Sequence, residues 1–208
     1  MLSTRGWREV TVRLDQLLHT NYFDFSVATM DELGLDAKRS LPHRGSSEGV
    51  TYILNQVPIL SNSSIIDIGA GKGRAMFAMA PFPFRKIDGV EISPTLTEIA
   101  RRNLSRAFLS KRSHVFTSCA SVFEDYDDYS YFYFYNPFPT EVLRDVMRHI
   151  HSSIRNQPRE CRLIYNAALS EEVKETICSN GIFSKELEYA PPGKRLITVY
   201  LNARALTS

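Results

Sequence analysis

Ser64-Ile65-Ile66-Asp67-Ile68-Gly69-Ala70-Gly71-Lys72-Gly73-Arg74 passes from an apolar run directly into a turn with three glycines. A short apolar run bounded by turn formers reads as a strand buried on both faces, as in a parallel sheet. Residues 74–80 read as the helix that follows, stopped by Pro81 and Pro83. In an open α/β sheet, ligands bind beyond the carboxyl ends of the strands, which is where this turn falls. Glycine lets the backbone turn sharply and approach a ligand closely. The spacing is G-x-G-x-G. Arg74 stands where a dinucleotide-binding loop has its third glycine, and Lys72 is followed by Gly73 rather than by the Ser or Thr of a phosphate-cradling loop.

On the C-terminal side the pattern repeats. Residues 86–92 form a second apolar stretch, and Pro94 opens a helix to about 108 with Leu96, Ile99, Ala100 and Leu104 on one face. Strands are expected at 114–120 and 129–135. Thr140 is the expected cap of a helix over 141–154, where Val142, Val146 and Ile150 recur by fours. A fifth strand is expected at 161–166, and Ser170 caps a helix that ends at Asn180-Gly181. Strands at 183–189 and 195–201 close the chain, joined by Pro191-Pro192-Gly193 as a hairpin-like pair. On the N-terminal side, Ser46 or Ser47 caps a helix over 48–57. Trp7, Val10, Leu14, Leu17 and Leu18 recur at helical spacing in an N-terminal segment, 1–45, read as a helix and a lid. Strands alternating with helices predict an α/β fold with a mostly parallel sheet, helices on both faces, and an antiparallel element at the end.

Glu91 ends the second strand, twenty-four residues after Asp67. A carboxylate there offers two oxygens at the spacing of a ribose diol. The alternative is a solvated strand-end charge beside a plain tight turn. Together, IIDIGAGKGR and GVEISP resemble the cofactor signature of class I S-adenosylmethionine-dependent methyltransferases, over a domain of residues 46–208. The resemblance implies a Rossmann-like seven-stranded sheet with one antiparallel strand, and S-adenosyl-L-methionine as cofactor. It implies that Asp67, Gly69 and Gly71 line the methionine end, that Glu91 holds the ribose and Ile92 flanks the adenine, and that Ala70, Gly73 and Asn136 also belong to the cofactor site. Relatives often carry an acid near the end of strand three. Here the string is Thr117-Ser118-Cys119-Ala120-Ser121, so Cys119, Ser121 or the backbone at Ala120 takes that place.

Asn136-Pro137-Phe138-Pro139 follows strand four. It resembles the (Asp/Asn/Ser)-Pro-Pro-(Tyr/Phe) element of amino-methylating enzymes with one proline fewer. That resemblance implies catalytic positions at Asn136, Pro137 and Phe138. Proline fixes φ and so presents the preceding carbonyl rigidly. The same tetrapeptide also reads as an ordinary strand-to-helix turn, and the sequence leaves both readings open. The combination of GKGR, GVE and FYNPF resembles small bacterial methyltransferases with unassigned acceptors and, more distantly, the non-SET nucleosomal lysine methyltransferases.

The 208 residues suffice for one domain with a substantial core. Twenty-five basic residues against twenty-three acidic leave a formal charge of +2, which argues against a dedicated nucleic-acid binder. The resemblance of Asn136-Pro137-Phe138 to amino-methylating enzymes implies an amine acceptor, which the charge balance places on a small molecule or protein side chain; nucleic-acid methylation and a non-catalytic cofactor-binding module are the alternatives. The basic run Arg101, Arg102, Arg106, Lys111, Arg112 reads as a solvated face, with a phosphate-bearing substrate the lesser reading. The first eighteen residues carry Arg5, Arg8, Glu9, Arg13 and Asp15 and so do not form a signal peptide, and no window spans a bilayer. Cys119, Cys161 and Cys178 match no zinc or redox spacing, which fits free thiols in a cytoplasmic protein. His149 and His151, two apart on a helix, face different ways, and no metal site is expected. Alternation in strand four places Tyr129, Tyr131, Tyr133 and Tyr135 on one face and Phe132 and Phe134 on the other.

Overall fold

A computed structural model describes residues 23–26, 48–190 and 196–202. Seven strands form one sheet: β1 Ser64–Ile68, β2 Lys86–Glu91, β3 Val115–Thr117, β4 Tyr131–Phe134, β5 Arg162–Asn166, β6 Phe183–Tyr189 and β7 Ile197–Asn202. Their order is β3-β2-β1-β4-β5-β7-β6. The first five pair in parallel, and β7 enters antiparallel to both β5 and β6. This is a Rossmann-like α/β sheet with one strand inserted antiparallel. Every residue of β1, β4 and β5 is buried, as expected of central strands covered on both sides.

Helices α1 Glu48–Leu54, α2 Arg74–Met79 and α3 Pro94–Arg106 pack on one face, and α4 Thr140–Asn156 and α5 Glu171–Cys178 on the other. Val50 and Ile53 of α1, Met76 and Met79 of α2, and Ala100 and Leu104 of α3 meet Ile65, Tyr131 and Tyr133. Val146, Met147 and Ile150 of α4 meet Phe132 and Phe134. No helix among the described residues is long and apolar enough to cross a membrane.

The structure corrects several boundaries. Tyr129 joins the phenylalanine side rather than the tyrosine side. It precedes β4 in a turn, where strand alternation does not apply, and its hydroxyl donates to Asp88 Oδ2 at 2.7 Å. Strand three is only three residues long. Helix α3 stops before Phe108, which has a φ of 57° and is 90% exposed. Thr140 is the first residue of α4 rather than its cap. Pro139 holds the cap position with no side-chain bond, and its carbonyl accepts from Leu143 N. Ser170 does cap α5, accepting from Val173 N at 3.3 Å. That helix ends at Cys178, and Ser179–Gly181 tighten into a 3-10 turn with Asn180 left-handed. The helix expected around Trp7 to Leu18, the caps at Ser46 and Ser47, and the Pro191-Pro192-Gly193 turn lie outside the described residues.

Candidate functional site

The chain runs from β1 outward through β2 and β3, then returns to β4 on the other side of β1. The carboxyl ends of β1 and β4 therefore flank the point where strand order reverses, the usual ligand crevice of an open α/β sheet. Gly69, Gly71 and Gly73 all have positive φ there. The amides of Gly69 and Ala70 both donate to Val90 O, at 2.9 and 3.0 Å, which hangs the loop from β2. A Cβ at Gly69 would overlap Pro137 Cβ, so glycine is what allows the turns after β1 and β4 to touch.

Two carboxyls lie under this loop. Glu91 is buried; its Oε2 accepts from Gly71 N at 2.8 Å and its Oε1 from Ser93 N at 2.9 Å. Burial raises its pKa, and these backbone donors oppose the rise. The Ile92 amide also lowers the pKa, and a carboxylate has acceptor capacity beyond these donors. Asp67 is also buried, and its side-chain carboxyl has no hydrogen-bond or ion-pair partner among the described residues. Burial, and next the nearby Glu91 charge, push its pKa up to about 8.

Ile92 is half-buried beside Glu91. Ser118 N donates to Glu91 O at 3.0 Å, which carries the β2–β3 pairing on toward Cys119 and Ala120. Cys119 Sγ lies 3.0 Å from Ser121 Oγ, and Ala120 is buried. The structure thus brings Asp67, the glycine loop, Glu91, Ile92 and the Cys119–Ser121 turn to one edge of the sheet.

Asn136 reaches the same edge from β4. It is exposed, with a left-handed φ of 44°, and its Oδ1 accepts from the Tyr165 hydroxyl at 3.2 Å. Phe138 lies elsewhere. Its ring is 6% exposed and stands edge-on to Phe134, with centroids 6.2 Å apart, inside the core under α4. Phe138, implied as a catalytic position by the resemblance, thus packs in the core.

Sequence reasoning missed Tyr165 and Asn166, which end β5. Asn166 Nδ2 donates to the buried Tyr133 hydroxyl at 2.9 Å. Their place at a strand's carboxyl end was the available signal. It also missed Lys72, whose ammonium is buried against Asp24. Of the basic run, Arg101 donates to Val115 O, and Arg112 to the carbonyls of Ala80, Phe82 and Phe84. Those two guanidiniums anchor β3 and the 80–84 turn, while Arg101, Arg102 and Lys111 are exposed as a solvated face would be. His149 lies 3.1 Å from Ser121 O, whereas His151 is buried beside Phe183, so the two do face different ways. Among the described residues no group of three His, Cys, Asp or Glu side chains is placed to hold a metal ion.

No protein-family model matches the chain, and no curated protein matches it by sequence. Solved structures do match the fold. One is an RNA methyltransferase from Salinibacter ruber in complex with S-adenosyl-L-homocysteine (TM-score 0.59, 13% identity, 78% of this chain and 95% of that one). A second is a magnesium protoporphyrin IX methyltransferase from Synechocystis with bound S-adenosylmethionine (0.59, 17%, 76% and 78%). A third is described as a precorrin 8w decarboxylase from Methanobacterium thermoautotrophicum (0.57, 16%, 78% and 92%). The chain therefore has the fold of S-adenosylmethionine-dependent methyltransferases. At such identities the likeness is one of architecture, and chemistry must be argued from the site.

Proposed function

We propose that this chain is an S-adenosylmethionine-dependent methyltransferase whose acceptor is an amine on a small molecule or a protein side chain. The observation that carries the reading is the convergence of two buried carboxyls, Asp67 and Glu91, beneath a glycine loop at the strand-order reversal. A buried carboxyl without a donor suits a cationic partner, and the ammonium of the methionine moiety is one. Glu91 retains acceptor capacity for a ribose hydroxyl beyond its backbone donors. Ile92 offers an apolar edge to the adenine, and the Cys119–Ala120 turn supplies its polar neighbour. When bound, the cofactor supplies a methyl group already activated on a sulfonium.

The protein's task is then alignment and exclusion of water. Asn136 stands at the β4 side of the crevice with its carbonyl oxygen oriented by Tyr165. Its remaining lone pair and the rigid backbone carbonyl before Pro137 can accept hydrogens from an amine and aim the nitrogen lone pair. Pro137, seated on Gly69, fixes the separation between this acceptor side and the loop. Phe138 supports the turn from within the core. Nucleic acid is the weaker acceptor reading, because basic and acidic residues nearly balance and leave a formal charge of only +2.

Calorimetric titration with S-adenosylmethionine tests the donor, and absence of binding by the wild type overturns the proposal. Glu91→Ala should weaken binding by about tenfold or more, the usual consequence of losing hydrogen bonds to a charged group, while the protein stays folded by circular dichroism. Transfer of labelled methyl into a protein lysate, a metabolite extract or bulk RNA then sorts acceptors. Failure to form S-adenosylhomocysteine with any of them leaves a binding module.

A further inference from the structure

The polar contacts of residues 23–26 reach both Lys72 of the glycine loop and Asn103 of α3. Lys72, in the middle of that loop, is only 5% exposed. Its ammonium donates to Asp24 Oδ1 at 2.7 Å and to Ser26 Oγ at 2.8 Å. Asn103, buried on α3, reads the same residue through its backbone. Its Oδ1 accepts from Asp24 N at 3.0 Å, and its Nδ2 donates to both Asp24 O at 2.9 Å and Lys72 O at 3.0 Å. One side-chain amide thus joins the strap and the loop. Phe23 and Phe25 stack 5.9 Å apart, and both stand edge-on to Phe77 of α2. The Arg74 guanidinium lies 5.7 Å from the Phe25 ring centre.

We propose that Lys72 and Asn103 dock Asp24 so that residues 23–26 act as a strap that sets the conformation of the cofactor loop. This rests on the cofactor reading above and deepens it, making Asp24, Lys72 and Asn103 positioning residues. A lysine is buried this deeply only when its charge is paired. Without the Asp24 carboxylate, the ammonium keeps a single hydroxyl partner in a desolvated site. It regains hydration only if residues 71–73 shift outward. That shift carries Gly71 N away from Glu91 Oε2, the contact that orients the ribose-binding carboxylate. The strap and the cofactor are therefore coupled through one loop, and each stabilises the geometry that the other needs.

The test measures S-adenosylmethionine affinity and ligand-free melting for Asp24→Ala, Lys72→Met and the double variant. Asp128→Ala serves as control; its ion pair with Lys86 is solvent-exposed and lies at the opposite end of β2. Asp24→Ala should bind about tenfold more weakly than wild type, with the control unchanged. The double variant, free of the stranded ammonium, should bind no more weakly than Asp24→Ala alone. Wild-type affinity in Asp24→Ala, or single losses that simply add in the double variant, overturns the proposal. Amide exchange at Asp24 separates this from the function itself. If the wild type binds no cofactor, the methyltransferase reading falls, but the strap still predicts slow exchange of Asp24 N–H in wild type and fast exchange in Lys72→Met. Equal exchange in the two proteins overturns it.

Discussion

The Asp67 carboxyl lies buried beneath the glycine loop beside Glu91. Its pKa, near 3.8 unfolded, is pushed up to about 8 in the folded protein by burial and then by Glu91. The folded state thus holds a proton that the unfolded state releases. Stability falls as pH rises from about 4 to about 8, and the full cost of the buried charge is present above that range. Asp67→Asn keeps the shape and removes the charge. Urea denaturation should find the variant more stable than wild type by about 1–3 kcal/mol at pH 8.5, with the gap closing toward pH 4. An equal difference at both pH values would contradict the burial argument.

At the scale of elements, the fold depends on two turns that meet at the carboxyl ends of β1 and β4. Gly69 has a φ of 90° and no room for a Cβ against Pro137. Gly69→Ala should cost about 2 kcal/mol, the sum of left-handed strain and the forced separation of the turns. Its loss of S-adenosylmethionine affinity should exceed what that destabilisation explains, because the loop itself moves. Denaturant titration and calorimetry on the same samples check both parts. The helices show how neighbours override local signals. Thr140 has the right side chain for a cap, yet Pro139 sits at the cap position, so the hydroxyl lies one residue inside the helix.

Across the whole molecule, the sheet is closed at its antiparallel edge by a buried guanidinium. Arg162 on β5 is 5% exposed and donates to both oxygens of Glu186 on β6 at 3.0 Å, reaching over β7, and it also contacts Glu160. Arg162→Met should destabilise the protein by about 1–2 kcal/mol, because Glu160 and Glu186 lose a buried partner but stay partly hydrated. Placed far from the crevice, it should leave cofactor affinity unchanged at temperatures well below melting. A loss of affinity in step with stability would show that the β6–β7 edge and the site unfold as one unit.

The strand, the glycine turn and the acid at the end of β2 were all legible in the chain, because each depends on residues that are neighbours in sequence. An apolar run, glycines at left-handed positions and the period of two in β4 are local properties, and they carried the α/β order and the crevice with them. Where the period was extended past the strand, to Tyr129, it failed, because alternation ends with the ladder. Three properties of the site belong to the tertiary structure alone. Asp67 holds its proton because the sheet and helices exclude water from it. Asn136 is oriented by Tyr165, twenty-nine residues away. Lys72 is buried because Asp24, forty-eight residues earlier, reaches it. Burial and pairing at that range depend on where the folded chain returns, and no local pattern of residue types records that path.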